Sequence, residues 1–319
     1  MKNDNIMMTC NKEELYLKLQ ILNKTLWENK AYKKQIDRWL NNFIGTFNDN
    51  NDEKLHALYL LSLFMYFGHY QIRELLRSLY RDVFKYPIIA RLRRENNDTK
   101  DLDLLEQKFI EELNKTRFLP IGNPSESGSH VLYYFRQEND LEKDLFINSH
   151  EIFTRDRNTG EVKLKNTDIN RYIFIDDFCG SGHQAEEYSL NIVEDIIDNK
   201  KDVEIYYYTL FGSTDGLKHI KSKTKFIPKC IFELDESFKC FSVDSRYFYV
   251  NYTNIDKNFA ESFCKEYGLR IAPIYPLGYD NSQLLIGFSH NIPDNTLPII
   301  WGESLQDEIV PMFKRYHKL

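Results

Sequence analysis

Cysteine is scarce in this chain, and its positions follow no regular spacing. The 319 residues include five cysteines, an odd number that argues against a complete disulfide framework. Zinc sites built on cysteine need pairs at short, regular spacing, whereas the cysteines here stand at positions 10, 179, 230, 240 and 264. The pattern therefore argues against a disulfide-stabilised secreted fold and against a zinc site.

Long apolar runs are missing as well. The longest, residues 57–67, is too short to span a bilayer and predicts a buried helix. Acids and amides interrupt residues 1–14, which therefore lack the apolar centre of a signal peptide. The net charge of −6 argues against a general nucleic-acid coat. We expect a cytoplasmic protein with no membrane partner.

What the chain does show is a change of pattern near residue 115. Residues 12–115 place leucines at helical spacing, for example Leu15, Leu19 and Leu22, and carry almost no strand signal. Beyond them, short apolar segments alternate with helical stretches. We predict a helical N-terminal region, residues 1–115, and an α/β domain, residues 116–319, with a parallel sheet flanked by helices.

Eight apolar, aromatic-rich segments of the second part predict β-strands, because β-branched and aromatic side chains suit a pleated, half-buried surface. They cover residues 117–122, 131–135, 145–150, 172–176, 203–210, 230–234, 246–252 and 284–290.

One predicted helix of the N-terminal region carries a stripe of cations. Arg73, Arg77, Arg81 and Lys85 are spaced four apart, which places them on one helix face. Three interpretations stay open: the stripe binds a nucleic acid, a partner protein or a second copy of the chain; it is a solvated face; or its side chains dock the helices onto the α/β domain. Pro87 is expected to end or kink this helix, since proline lacks a backbone N–H.

The most informative segment is YIFIDDFCGSGHQA, residues 172–185. A predicted strand ends at two acids, Asp176 and Asp177, and the loop 180–182 leads into a helix predicted over residues 183–198. Such strand–loop–helix units bind ligands at the carboxyl ends of parallel strands. Glycines let backbone amides surround an oxyanion, but two acids beside it would repel a simple phosphate. A ligand with phosphate at one end and hydroxyls at the other, such as ribose 5-phosphate, fits both features.

Other loop types fit this segment less well. A P-loop requires lysine after its last glycine, and here His183 follows Gly182. The dinucleotide fingerprint would need its third glycine at Ala185 and an acid about twenty residues after the loop. Two alternatives stay open. Cys179 could act as a nucleophile with a thiol pKa lowered by the helix N-terminus, or Asp176 could simply cap the helix while the glycines turn the chain.

Residues 173–185 resemble the phosphoribosyl-pyrophosphate (PRPP) motif of type I phosphoribosyltransferases. In that family the motif consists of four apolar residues, two acids, two variable residues and a small-residue loop. Residues 64–84, 122–139 and 275–301 resemble the phosphoribosyltransferase-like domain of bacterial conflict systems, often called PRTase-CE. The resemblance covers most of residues 55–315. It implies a phosphoribosyltransferase-like α/β fold with an all-helical N-terminal extension.

The resemblance also implies roles for particular residues. Asp176 and Asp177 would be the catalytic pair, holding the ribose hydroxyls and reaching Mg²⁺ indirectly, through those hydroxyls. The rest of the ligand would be bound by three further parts of the chain. The phosphate loop and its neighbours are Phe178, Cys179, Gly180, Ser181, Gly182, His183 and Gln184. A second loop near the pyrophosphate is Ser125, Glu126, Ser127 and Gly128, and the aromatic ring for a base is Tyr279.

Two functions stay open for such a protein. One is a Mg²⁺-dependent phosphoribosyltransferase, and the other is a non-catalytic module that senses PRPP or a nucleotide and regulates a partner. Gly180 stands where many purine-salvage members of the wider family carry a third acid, which favours sensing. The resemblance implies an anti-phage defence setting with partners such as a reverse transcriptase with its RNA or DNA, or an NTPase, and a homo-oligomer is also considered.

Overall fold

The computed structural model describes residues 8–45, 47, 49–122, 127–157, 159–250, 252–304 and 308–316. The chain divides into two compact units, one formed by Met1–Gln71 and Asp235–Leu319 and the other by Ile72–Leu234. These limits differ from the predicted boundary at residue 115. The reason is that helices after Gln71 pack on the sheet of the second unit, while the C-terminal residues return to the core of the first.

The helices and strands alternate along the chain with short connections. In order they are α1 (Lys12–Thr25), α2 (Lys33–Leu40), α3 (Asn50–Leu61), β1 (Met65–Phe67), α4 (His69–Ser78), α5 (Tyr86–Glu95), α6 (Leu102–Asn114), β2 (Thr116–Pro120), α7 (Ser127–Glu138), β3 (Phe153–Arg155), β4 (Val162–Leu164), β5 (Arg171–Cys179), α8 (His183–Tyr188), α9 (Glu194–Asn199), β6 (Glu204–Ser213), α10 (Thr214–Lys223), β7 (Ile227–Leu234), α11 (Lys257–Ile271), β8 (Ile286–Phe288) and α12 (Pro298–Trp301). Two π-helical segments, Leu79–Lys85 and Ser189–Val193, join α4 to α5 and α8 to α9.

The first unit is mainly helical. Helices α1–α3, α11 and α12 share one apolar core, in which Phe43 contacts Trp39 and Tyr267 edge to face, with ring centroids 5.0 and 5.2 Å apart. Strands β1 and β8 pair in parallel, with Met65 opposite Ile286. The N-terminal region is therefore helical as predicted, except for this short strand. Within the described residues, no helix has both the length and the apolar content needed to cross a bilayer.

The second unit is built on a parallel sheet of four strands in the order β2–β5–β6–β7. One face shares its core with α8–α10, where Phe174 lies with Ile220. On the other face, Phe118 packs between Phe84 and Phe135, with ring centroids 5.3 and 5.2 Å apart. Because both faces are covered, β5 is an unbroken apolar run before its acids, as expected for a parallel sheet between helices. The predicted α/β fold with a flanked parallel sheet is confirmed.

Five of the eight predicted strands are confirmed, as β2 and β5–β8. Residues 131–135 lie in α7 instead. The described residues of segments 145–150 and 246–252 lie mainly in turns, with 3₁₀ turns at Lys143–Leu145, Ser149–Glu151 and Arg246–Phe248, and Phe146 adds one isolated bridge to Phe118. The aromatic runs misled the prediction, because a short apolar run suits a buried helix or turn as well as a strand.

Pro87 does not end the helix that begins at His69, which continues to Glu95. The π segment widens the turn just before Pro87, and proline then stands in the first turn of α5, where no N–H partner is required.

The cation stripe is paired within the second unit. Arg73 and Arg77 both contact the Glu138 carboxylate. Arg81 Nε lies 2.8 Å from an Asp82 oxygen, and Lys85 Nζ lies 5.0 Å from the Phe109 ring centroid. The contacts of Arg73 and Arg77 favour docking onto the α/β unit, whereas Arg81 pairs with its chain neighbour on an exposed face.

Candidate functional site

Strand β5 carries both predicted acids and continues beyond them. It stays in register with β6 as far as Cys179, which lies opposite Gly212, so the strand does not end at Asp176 as predicted. Asp176 and Asp177 are each 7% exposed. The acids therefore lie within the layers of the unit, near the carboxyl edge of the sheet.

The Asp176 carboxyl group accepts two hydrogen bonds. The Tyr207 hydroxyl donates to Oδ2 over 2.8 Å, and the Asp177 backbone N–H donates to Oδ1 over 2.9 Å. Burial and the neighbouring Asp177 carboxylate raise the pKa of Asp176 well above 3.8, and the Tyr207 hydroxyl only partly opposes this rise. The neutral form of Asp176 therefore persists to higher pH than that of an exposed aspartic acid.

Cys179 is buried at the end of β5, beside the same acid. Burial, with a smaller contribution from Asp176, raises the pKa of the Cys179 thiol to about 12. A nucleophilic cysteine needs a thiolate near neutral pH. The geometry therefore argues against Cys179 as a nucleophile.

The loop after β5 is held tightly against helix α10. Gly182 has a left-handed backbone (φ +83°), and a Cβ there would lie 2.8 Å from the Gly216 carbonyl oxygen. A Cβ on Gly216 would in turn lie 2.1 Å from the Gly180 oxygen. The Ser213 hydroxyl donates to that oxygen over 2.5 Å and accepts the Gly216 N–H over 2.9 Å. Glycine is thus required by backbone packing at two positions around the loop.

The start of α7 lies at the same edge of the sheet. A Cβ on Gly128 would lie 2.3 Å from the Ile121 carbonyl oxygen, and the Ile121 N–H donates to the Ile175 carbonyl over 3.1 Å. Gly128 therefore stands next to the strand that carries the acid pair. Ser127 is the first residue of α7, and Ser125 and Glu126 lie outside the described residues.

A group of metal-ligating side chains borders the loop. His183, the first residue of α8, lies with Glu186 of the same helix and His219 of α10, and their ligand atoms are within 4.8 Å of one another. The His219 Nε2 atom lies 2.6 Å from a Glu186 carboxylate oxygen. It is the one group of three or more such ligands in the part of the chain that the structure describes.

With this geometry in view, the sequence was compared with known families. The sequence model of PRTase-CE matches residues 36–315. The chain belongs to the PRTase-CE family. The resemblance stated from residues 64–84, 122–139, 173–185 and 275–301 is confirmed, and the chain is a phosphoribosyltransferase-like protein.

The structure of this PRTase-CE member matches 22 chains of solved structure. A xanthine-guanine-hypoxanthine phosphoribosyltransferase from Helicobacter pylori is 10% identical over 54% of this chain and 84% of its own, with a TM-score of 0.29. An orotate phosphoribosyltransferase from Aeropyrum pernix is 8% identical over 39% and 63%, with a TM-score of 0.25. The AQ2163 protein from Aquifex aeolicus is 13% identical over 64% and 84%, with a TM-score of 0.27. No curated protein matched.

Most of the predicted site residues of this PRTase-CE member lie together in the second unit. Phe178 follows the acids in β5, Ser181 is half-buried in the loop, and Gln184 is exposed on α8. Tyr279 instead belongs to the first unit, where its ring lies 4.7 Å from that of Tyr275, centroid to centroid. Its role in stacking on a base stays a prediction.

Three residues beside the PRTase-CE motif were not predicted from the sequence. Tyr207 reaches Asp176 because β6 lies next to β5, a register that the pattern VEIYYYTL does not specify. His219 joins the loop only through the packing of α10. Glu186 carried a signal, since a histidine and an acid three residues apart share one helix face.

The opposite, amino-terminal edge of the same sheet carries a buried cation. Arg171 is 7% exposed, and its guanidinium lies 2.6 Å from a Glu204 oxygen and 3.3 Å from a Glu112 oxygen. Next to it lies a cavity of about 450 Å³, which is also lined by Tyr206 and Tyr208.

Proposed function

We propose that the protein binds a ligand that carries a ribose 5-phosphate, either PRPP or a nucleotide, at the carboxyl edge of its parallel sheet. The observation that carries this proposal is the direct succession of the buried acid pair Asp176–Asp177 and the glycine loop 180–182. Backbone amides of such a loop suit phosphate, and carboxyl oxygens accept hydrogen bonds from ribose hydroxyls.

Each part of the site has one task in this proposal. The amides of residues 180–183 surround the 5-phosphate, and the Ser181 hydroxyl adds a donor. Asp176 and Asp177 accept hydrogen bonds from the 2- and 3-hydroxyls. The contact between Gly182 and Gly216 keeps the loop in shape before the ligand arrives, which lowers the ordering cost of binding.

Mg²⁺ fits this site in an indirect role. Both oxygens of Asp176 already accept hydrogen bonds, so this group is poorly placed to bind a cation directly. Mg²⁺ commonly keeps water and binds to one or two carboxylates together with substrate phosphates. The acid pair would therefore act on the cation through the ribose hydroxyls. When bound, Mg²⁺ supplies charge neutralisation for a pyrophosphate.

Within this proposal, sensing is better supported than transfer. Departure of pyrophosphate would leave positive charge on the ribose, and a charged carboxylate nearby would stabilise it. Gly180 provides no further acid, and the raised pKa of Asp176 makes its charged form harder to reach. We infer a cytoplasmic module of a bacterial anti-phage system that senses PRPP or a nucleotide and regulates a partner effector, either a reverse transcriptase or an NTPase. Mg²⁺-dependent phosphoribosyl transfer is the second candidate, favoured by family membership.

Calorimetry with ribose 5-phosphate and nucleoside monophosphates tests the binding site. Gly182→Val should abolish binding, because the new side chain would meet backbone at 2.8 Å. Gly160→Val is the matched control: its backbone is also left-handed (φ +73°), but nothing lies within 4 Å of its Cβ position. Asp176→Asn combined with Asp177→Asn should stay folded and also lose binding. Wild-type affinity in both site variants would contradict the proposal.

Pyrophosphate release separates the two candidate functions. The protein is incubated with PRPP and Mg²⁺ and a panel of acceptors: bases, nucleotides, nucleic acids and proteins. Saturable binding without pyrophosphate release supports sensing, whereas release that depends on one acceptor supports transfer. Co-purification with the neighbouring gene products then identifies the partner.

A further inference from the structure

We propose that His183, Glu186 and His219 form a site for a transition-metal ion of the zinc class. Two imidazole nitrogens and one carboxylate oxygen lie within 4.8 Å of one another. The two imidazole rings are 4.9 Å apart, centroid to centroid, and nearly perpendicular at 83°. Two histidines with one glutamate are a ligand set of zinc sites that keep a coordination position open for water or substrate.

The backbone holds the three ligands in place. His183 and Glu186 are three residues apart on α8 and therefore share one helix face. His219 lies on α10, whose Gly216 touches the loop so closely that a Cβ would meet the Gly180 oxygen at 2.1 Å. Metal binding therefore needs only side-chain rotation. The hydrogen bond between His219 and Glu186 would be exchanged for bonds of about 2.0–2.2 Å from each side chain to the metal.

The donor atoms select the metal. Imidazole nitrogen suits zinc, cobalt, nickel and copper, whereas Mg²⁺ prefers oxygen ligands. The scattered cysteines argued against a zinc site, but this site uses none. Glu186 and His219 are half-buried and His183 is exposed, so an ion can enter from solvent. The metal would use the side chain of His183 and the phosphate its backbone amide, so the proposed metal site adjoins the phosphate loop but does not rest on ribose-phosphate binding.

Cobalt titration tests this site in the full-length protein. Tag-free protein is stripped with a chelator and titrated with Co²⁺, whose visible absorption reports imidazole ligation. We expect one equivalent to bind, and Zn²⁺ to displace it. Removing a residue that only hydrogen-bonds to a metal ligand already lowers metal affinity about 10–100-fold. Because His219 and Glu186 would be direct ligands, His219→Ala and Glu186→Gln should each lower the affinity at least about 100-fold. His150→Ala, which removes an exposed histidine elsewhere in the unit, should bind like wild type.

Thermal melting provides a second readout. Zn²⁺ should raise the Tm of the wild type, because a ligand that binds only the folded state stabilises it, and should leave the Tm of Glu186→Gln unchanged. This near-isosteric variant keeps a hydrogen-bonding side chain and tests the proposal even if His219→Ala fails to fold. Absent Co²⁺ absorption in wild type, or equal metal affinity in Glu186→Gln, would show that the three side chains only tether two helices. Ribose 5-phosphate binding is measured separately in chelator-treated protein, so failure of one site is distinguishable from failure of the other.

Discussion

Buried ionisable side chains have opposite surroundings at the two edges of the parallel sheet. At the amino-terminal edge, Arg171 is buried with two carboxylates, Glu204 and Glu112, within 3.3 Å of its guanidinium. At the carboxyl edge, Asp176 is equally buried, but it lies beside a second acid and accepts hydrogen bonds from a neutral hydroxyl and a backbone amide. The two residues are on the same strand, so the contrast is not one of fold or local sheet geometry.

This difference separates a structural charge from a candidate functional one. Removing one partner of a buried ion pair costs much stability, because the other charge is left without compensation. A buried acid beside another acid is kept at a cost in stability, and this is typical of sites that bind or react. The amino-terminal edge is therefore expected to respond to mutation by unfolding, and the carboxyl edge by losing its ligand.

The largest effect is expected at Arg171. Arg171→Met keeps much of the apolar stem but leaves Glu204 without a cation and Glu112 with Arg91 alone. We expect the free energy of unfolding to fall by about 3 kcal/mol, at the low end for a broken buried pair, because both carboxylates retain some access to water. Urea denaturation measures the change. Lys163→Met, which removes an exposed pair with Glu161, should cost less than about 1 kcal/mol; equal costs would remove the distinction between buried and exposed pairs.

A smaller effect is expected at Tyr207. Tyr207→Phe removes the hydroxyl that donates to Asp176, and the loss should be about 1–2 kcal/mol, as for a buried acceptor that loses its partner. The pKa of Asp176 should also rise further, because the Tyr207 hydrogen bond lowers it. Tyr208→Phe is the control from the same strand; its hydroxyl donates to the Val83 carbonyl over 3.3 Å. The free energy of unfolding of the two variants should therefore depend differently on pH, as measured by denaturation at several pH values.

The smallest effect on stability is expected at Asp176. Near pH 3.8, Asp176→Asn should change the free energy of unfolding by less than about 1 kcal/mol, because the raised pKa keeps folded Asp176 neutral there and one neutral group replaces another of similar size. The same variant should lose ribose 5-phosphate binding. Denaturation and calorimetry on one sample give both values, and a strongly destabilised variant would make Asp176 a structural residue.

The raised pKa of Asp176 determines how the free energy of unfolding changes with pH. The pKa of folded Asp176 is above the ordinary value of 3.8, so the folded state holds the extra proton between these two values. Wild-type stability from this group is complete below 3.8 and is lost as pH rises through the folded pKa, by up to about 1.4 kcal/mol per pH unit. Relative to wild type, Asp176→Asn should therefore gain stability as pH rises from 3.8 through the folded pKa of Asp176. A flat difference would contradict the raised pKa.

Local sequence was enough to predict the acid pair, the glycine loop, a helix starting at His183 and the central strands, because these features follow one another along a single segment. Tyr207 and His219 could not be found in this way, since each reaches the site through strand register or helix packing. The end of β5 at Cys179 was missed for the same reason: pairing with β6 extends the strand past its acids. The limits of the units were missed because chain ends that are distant in sequence share one core.

The π segment Ser189–Val193 makes the site sensitive to the number of residues in a helix. A π turn holds one residue more than an α-helical turn. Removing exposed Leu190 would let α8 and α9 merge into one regular helix, in which each residue advances about 100°. The π turn already accommodates this extra residue, so the faces of α8 and α9 would keep their present directions after the deletion. One further inserted residue has no such compensation and would rotate the histidine and glutamate of α8 by about 100° relative to the buried side chains of α9. An insertion in this stretch is therefore more disruptive than the loss of Leu190.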